Sequence, residues 1–303
     1  VKKNPMKIVS LIPSATEIIF ALGLCDNLVG ISHECDYPKE ILKLPKLTTS
    51  RIKTKQSSLK IDYDIKKILE KSLSVYEVKS DLLRKLDPDV IITQSQCSVC
   101  AVSLKDVKEC LRKFINTKPL LIDLKPNTFN EVLKDINRVG QKLNKRSESQ
   151  ILVKNIKNEI SKIKAKTSHS NIKNVLCIEW IEPIMTAGNW VPQLVEFAGG
   201  KSVFAKSGKN SNFIKPEHIN FKEVDIVIFM PCGFDIKRSK DEISKANVDY
   251  LSNLKDKKTF IVDGNKYFNR PGPDLLESTR ILAEIIHPDI FPAKQNIKRW
   301  ISL

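Results

Sequence analysis

Asp81-Leu-Leu-Arg-Lys-Leu-Asp-Pro-Asp89-Val-Ile-Ile-Thr-Gln and Glu217-His-Ile-Asn-Phe-Lys-Glu-Val-Asp225-Ile-Val-Ile-Phe-Met carry one pattern twice, 136 residues apart. In each copy an acidic residue stands eight positions before an aspartate that opens a continuous apolar run. A short apolar run after a helical turn, with no polar residue alternating through it, predicts a parallel strand covered on both faces. Two such units predict two α/β lobes built alike. The expected fold class is therefore α/β: two Rossmann-like lobes joined by a long connecting helix, with a ligand cleft between the lobes.

Outward from the first copy, residues 8–12 read as a strand and 14–24 as a helix, with Ser14 as its cap and Glu17 three residues on. Residues 28–31 form the next strand, giving a βαβ opening. Residues 80–86 read as a helix and 90–93 as the repeat strand, followed by a helix over 104–114 and a strand at 120–122. Thr128 then caps a periodic stretch that reaches Lys166 with no proline and a single glycine, Gly140. One helix of roughly 35 residues there would span about 50 Å; two helices broken between Gly140 and Ser147 are the alternative. Strands at 175–178, 226–230 and 260–262, with helices at 192–198 and 275–286, complete the second half. The expected division is an N-terminal α/β lobe over 1–127, the connecting helix over 128–168 and a C-terminal α/β lobe over 169–303.

With 303 residues and 41% hydrophobic content, the chain can bury a core in each of two domains. No apolar stretch approaches the length of a membrane span, and no signal peptide is seen in a sequence that starts at Val1. The net charge of +16 raises the question of nucleic acid. The lysines are spread along polar faces such as 142–166 without interleaved aromatic residues, so they read as a solvated surface and nucleic acid is not an expected partner. Seven cysteines, an odd number in a chain of this length, do not make a disulfide framework. Their usage favours a reducing, cytoplasmic compartment; a cell-surface or extracytoplasmic place follows if a leader was removed. The chain is expected to be a monomer.

In an open α/β sheet, ligands bind beyond the carboxyl ends of the strands. The turns expected there are dense in polar, aromatic and thiol groups: residues 13–16, 32–38, 94–100, 180–183, 231–234 and 263–273. Ligand-binding candidates in them are His33, Glu34, Tyr37, Trp180, Glu182, Phe234, Tyr267, Phe268 and Arg270, joined by Trp190 from the turn before the 192–198 helix. The aromatic members suit a large planar ligand, and Arg270 suits a carboxamide, carboxylate or phosphate; core packing and a salt bridge are the plain alternatives. His33 offers an imidazole to a metal or fixes its own turn. Cys97 and Cys100 have the spacing of a metal knuckle or a redox pair, which Cys35 and Cys232 would complete, together with His33. Cys25, Cys110 and Cys177 read as apolar fillers. No Ser-His-Asp order, P-loop or G-x-G-x-x-G accompanies the carboxylates, so no catalytic residue is expected and a binding protein is favoured over an enzyme.

Lys7-Ile-Val-Ser-Leu-Ile-Pro-Ser-Ala-Thr-Glu17, Leu22-Gly23-Leu24, Leu28-Val-Gly30, Leu86-Asp-Pro-Asp89-Val-Ile-Ile and Val195-Glu-Phe-Ala-Gly-Gly200 resemble the substrate-binding proteins of iron-complex and cobalamin ABC importers. Within that family, Ser32-His-Glu-Cys-Asp-Tyr-Pro38, Cys97-Ser-Val-Cys100, Pro231-Cys-Gly233 and Phe268-Asn-Arg-Pro-Gly-Pro273 look like a cobalamin-binding subgroup. The resemblance implies capture of a metal chelate, foremost cobalamin or a related corrinoid, in the interlobe cleft for uptake or intracellular carriage. It also implies docking of an ABC permease through Asp81 and Glu217. The rival reading is a thiolate-bound metal, an iron–sulfur cluster or a redox site built from Cys35, Cys97, Cys100 and Cys232, with an enzyme on the same fold as its extension.

Overall fold

The computed structural model describes residues 5–71, 74–96, 104–114, 118–293 and 298–303. These fall into two compact units. One comprises residues up to Gln56, Lys60–Pro126 and Lys134–Leu152; the other comprises Ser57–Leu59, Asn127–Leu133 and Val153–Leu303. No helix among the described residues is long and apolar enough to cross a membrane.

The first part of the chain runs β1 (Ile8–Ser10), α1 (Pro13–Ala21), β2 (Leu28–Ile31), β3 (Thr48–Ser50), α2 (Ser58–Glu70), β4 (Tyr76–Val78), α3 (Ser80–Leu86), β5 (Val90–Gln94), α4 (Leu104–Phe114) and β6 (Leu120–Leu124). The four strands β2-β1-β5-β6 form a parallel sheet in that order, and β3 pairs with β4 as an antiparallel ribbon. Val9 and Ile91 on the sheet, with Leu11, Leu47, Val75, Leu83 and Val107 from the turns and helices beside it, form one buried cluster.

Next come α5 (Phe129–Lys142) and α6 (Arg146–Thr167). Thr128 caps α5 as expected: its Oγ1 accepts from the Glu131 N–H at 3.2 Å, and Glu131 Oε2 accepts from the Thr128 N–H at 3.0 Å. This capping box satisfies two donors that a helix start leaves bare. The single long helix does not form. Asn144 turns into the left-handed region at φ 58°, and the Lys145 N–H reaches back to the Gly140 carbonyl at 2.7 Å. A side chain at Gly140 would stand 2.4 Å from Ser149 Cβ, so the glycine lets the start of α6 close against the end of α5.

The remainder runs β7 (Asn174–Trp180), β8 (Met185–Thr186), α7 (Val191–Phe197), β9 (Lys201–Ser202), β10 (Asn212–Phe213), β11 (Ile226–Phe229), α8 (Ile236–Lys245), β12 (Lys258–Val262), α9 (Leu275–Ile286) and β13 (Trp300–Ser302). These strands form one sheet ordered β10-β8-β7-β11-β12-β13, with β9 also paired to β7. The central β7, β11 and β12 are parallel, and β13 closes the edge antiparallel to β12. Leu176, Ile178, Val227, Phe229 and Ile261 are buried with Ile181, Tyr250 and Leu254 in the second core.

The repeated aspartates have one structural task. Asp89 Oδ2 accepts the Lys7 N–H at 2.7 Å while the Asp89 N–H donates to the Lys7 carbonyl at 2.9 Å. Asp225 does the same to Asn174, at 2.7 and 3.0 Å. Each aspartate thus grips the residue at the start of the neighbouring parallel strand, which sets the register of β5 on β1 and of β11 on β7. The units leading into them differ. The first is the α-helix α3, whereas the second is two 3-10 turns, Pro216–His218 and Phe221–Glu223. Asn220 accepts the Lys222 N–H with its own side chain, which offers the backbone an alternative to a continued α-helix. Asp81 and Glu217 are both exposed.

Candidate functional site

The first lobe gathers polar groups where its parallel strands end. Beyond β1, α1 begins one residue earlier than expected, with Pro13 at its first position and no side-chain cap. The proline ring holds the φ a helix start requires, so Ser14 lies inside the helix instead of capping it. Ser14 Oγ is buried, as are Thr93 Oγ1 and Gln94 Oε1 at the end of the adjacent β5, and none of the three has a hydrogen-bond partner among the described residues. A buried hydroxyl or amide oxygen without a partner costs about 1–3 kcal/mol. Such groups, clustered at strand ends, are suited to a polar ligand. Beside them, Thr16 Oγ1 lies 3.1 Å from Cys35 Sγ and 2.8 Å from Ser10 Oγ.

The turn after β2 is held by hydroxyls. Thr48 Oγ1 accepts the His33 N–H at 3.0 Å and lies 2.7 Å from His33 Nδ1 and 3.0 Å from Ser32 Oγ. Ser32 Oγ itself accepts the Glu34 N–H. Where Thr48 Oγ1 donates to Nδ1, a neutral His33 carries its hydrogen on Nε2; where it accepts from Nδ1–H, Nε2 is left as an acceptor. Burial, then Lys46 and Lys79, holds the imidazole below its ordinary value. Glu34 accepts the Tyr76 hydroxyl at 2.8 Å, and the rings of His33 and Tyr76 are 5.3 Å apart. Tyr37 is exposed and meets Phe20 edge-on.

In the second lobe most of the expected aromatic wall is interior. Trp190, Phe234, Tyr267 and Phe268 are buried, as is Arg270. Trp190 Nε1 donates to the Phe268 carbonyl at 2.9 Å, which explains how an indole is accommodated there. Tyr267 and Phe268 lie in a π-helical turn, Gly264–Phe268, where a side chain at Gly264 would stand 2.3 Å from the Pro231 carbonyl. Trp180 is only half-buried; it packs on Phe234 at 5.4 Å, and the Arg238 guanidinium lies over the other ring at 3.6 Å. Trp180 Nε1 donates to the carbonyl of Ser58, which groups with this lobe. Glu182 is half-buried, and its charge joins burial in pushing the Tyr250 hydroxyl up.

Glu179, at the end of β7, was not among the expected residues. Burial pushes its carboxyl up to about 7, against a lowering hydrogen bond from Ser211. Ser211 Oγ donates to Glu179 Oε2 at 2.6 Å and accepts the Gly188 N–H at 3.0 Å. The signal available in sequence was one acid within the apolar run Val175-Leu-Cys-Ile-Glu179-Trp180.

Cys35, Cys110 and Cys177 are buried and Cys25 and Cys232 half-buried, all as free cysteines. Cys25 lies in the 3-10 turn Cys25–Asn27, and burial, then Glu179, pushes Cys177 up to about 12. Cys97 and Cys100 lie outside the described residues. Among the described residues no three His, Cys, Asp or Glu side chains come together as a metal site.

Residues 8–255 match the family model described as "Periplasmic binding protein". The chain belongs to the periplasmic binding protein family. It is similar to the uncharacterized ABC transporter substrate-binding lipoprotein YvrC of Bacillus subtilis, 27% identical over 96% of this chain and 83% of that protein. A vitamin B12-binding protein of Vibrio parahaemolyticus is 23% identical over 73% of this chain and 69% of its own length. Among solved structures, the periplasmic vitamin B12 binding protein BtuF of Vibrio cholerae aligns over 95% of this chain and 98% of its own, with a TM-score of 0.62 and 18% identity. The apo periplasmic heme-binding protein RhuT from Roseiflexus sp. RS-1 aligns over 95% and 100%, with a TM-score of 0.68 and 18% identity. These structures show the fold, the two-lobed α/β architecture expected from the repeat. As a periplasmic binding protein of the ABC-importer kind, the chain is a substrate-binding component that serves a permease and carries a small molecule.

Proposed function

We propose that this periplasmic binding protein captures a corrinoid, with the turns at the carboxyl ends of its strands as the ligand-facing groups. The observation that carries the reading is a trio of neutral, buried oxygens, Ser14 Oγ, Thr93 Oγ1 and Gln94 Oε1, without partners among the described residues, while Gln94 Nε2 donates to Gln96 Oε1 at 3.3 Å. A corrinoid presents a periphery of carboxamides, which hydroxyls and a glutamine carbonyl match without charge, whereas a haem presents two carboxylates that call for cations. Similarity to proteins named for vitamin B12 supports the same choice. His33 serves this site as a donor: with Nδ1 accepting from Thr48, its Nε2–H is available to an amide or phosphate oxygen. Tyr37, exposed beside Phe20 in the same lobe, supplies apolar cover.

Asp81 and Glu217, exposed on separate lobes, are the proposed contacts to basic pockets of the permease. Because a relative is named a lipoprotein, the proposed place of work is outside the cytoplasmic membrane.

The test is a spectral and calorimetric titration with cyanocobalamin and, in parallel, haemin. Saturable cyanocobalamin binding that Gln94→Leu weakens about tenfold, the worth of one buried hydrogen bond, supports the reading. Haemin binding without corrinoid binding, or no effect of Gln94→Leu, overturns it.

A further inference from the structure

Away from the four-stranded sheet, the first lobe carries a concavity of about 380 Å³ lined by Arg51, Ile52 and Lys53 after β3, by Gln56, and by Lys60, Asp64, Lys67 and Ile68 on one face of α2. Its lining holds four cations and one carboxylate. That carboxylate is already engaged: Asp64 accepts Gln56 Nε2 at 2.9 Å and Lys60 Nζ at 2.9 Å, and these hydrogen bonds hold it below its ordinary value. Arg51 Nη1 donates to the Ser74 carbonyl at 3.1 Å and its Nε reaches Glu77 only at 3.6 Å, with both side chains solvated. Tyr63 keeps the helix face crowded with charge, since the ammonium groups of Lys60 and Lys67 both stand 4.5 Å from its ring centroid. Glu70 is a further acid acting on Lys67. Ile52 and Ile68, packed against the lobe's core, make an apolar floor.

The acids nearby pair with Lys60 and Arg51 and favour the charged form of Lys67, yet four cations against one lining carboxylate leave the concavity net positive, and an anion seated there is attracted to it. We infer that this pocket binds a small polyanion, a molecule carrying two or more phosphate or carboxylate groups. Arg51 is the fork for one anionic group, and Lys53 and Lys67 are point charges for the rest.

The test is calorimetric titration of the full chain with sodium pyrophosphate and with citrate, at about 20 mM ionic strength, where the screening length is about 20 Å and charges are little screened. Saturable binding of either is expected, and which binds more tightly tells phosphate from carboxylate. The variant Lys53→Gln/Lys67→Gln is expected to weaken binding about tenfold or more through loss of two nearby charges. Lys154→Gln/Lys157→Gln on α6 should leave binding unchanged while altering net charge equally. Absence of saturable binding to both anions, or equal weakening by the two double variants, would overturn the inference and leave only a diffuse surface charge.

Discussion

Glu179→Gln should stabilise the protein in alkaline solution and do little in acid. The carboxyl lies at the end of β7, and burial raises it from 4.5 to about 7 despite the Ser211 hydrogen bond. A group whose folded value is raised holds its proton more firmly in the native state. Its stabilising contribution is complete below the unfolded value near 4.5, and is lost as pH rises through 7. The full difference corresponds to about 3 kcal/mol of native stability lost once the native carboxyl ionises. Glutamine keeps an oxygen for the Ser211 hydroxyl and removes the ionisation. Urea unfolding of both proteins should then give a midpoint difference that is small near about pH 5 and grows to about 3 kcal/mol in favour of the variant near about pH 8. A difference that does not change with pH, or a variant less stable at the alkaline end, would refute the burial argument.

Further outcomes rest on other contacts. Arg299 and Glu284 are both buried and paired, with Trp300 Nε1 donating to the same carboxylate at 3.1 Å, and Glu277 also reaches Arg299. Arg299→Ala strands Glu284, so unfolding should show a loss of about 3–5 kcal/mol, with earlier hydrogen exchange at β13. Asp225→Ala removes the grip on Asn174 and should cost about 1–2 kcal/mol by chemical denaturation; a neutral result would deny that the repeat aspartates set register. His33 is held below its ordinary 6.5 by burial and by Lys46 and Lys79. Proton NMR titration should therefore find it neutral at pH 7, its contribution to stability complete above about 6.5 and falling as acid charges the unfolded chain first. Thr48→Val should free the imidazole ring and broaden its resonances.

Much of the fold was legible because its signals are local. Asp89 and Asp225 each precede an unbroken apolar run, and a buried parallel strand needs no partner's sequence to be recognised. The Thr128–Glu131 capping box spans four residues, and the turns that end the strands follow from the same order. Motif order along most of the chain likewise carried the family.

What tertiary structure alone decided is which of those turn residues face inward. Trp190, Phe234, Phe268 and Arg270 share the composition of a ligand wall, yet their burial was set by α7, α9 and the turns around β12 packing against them, contacts between residues tens of positions apart. Glu179 meets Ser211 across 32 positions, and its acidity depends on the desolvation that this packing brings about. The two-residue strands β8, β9 and β10 exist only as partners of other strands and leave no period to read. Helix propensity permitted one long helix over 128–168, but the left-handed turn at Asn144, with Gly140 admitting Ser149 closely beside it, made two helices of it instead. Sequence thus specified the elements through short-range sterics and hydrogen bonding, while burial and its effect on each polar group belong to the packed whole.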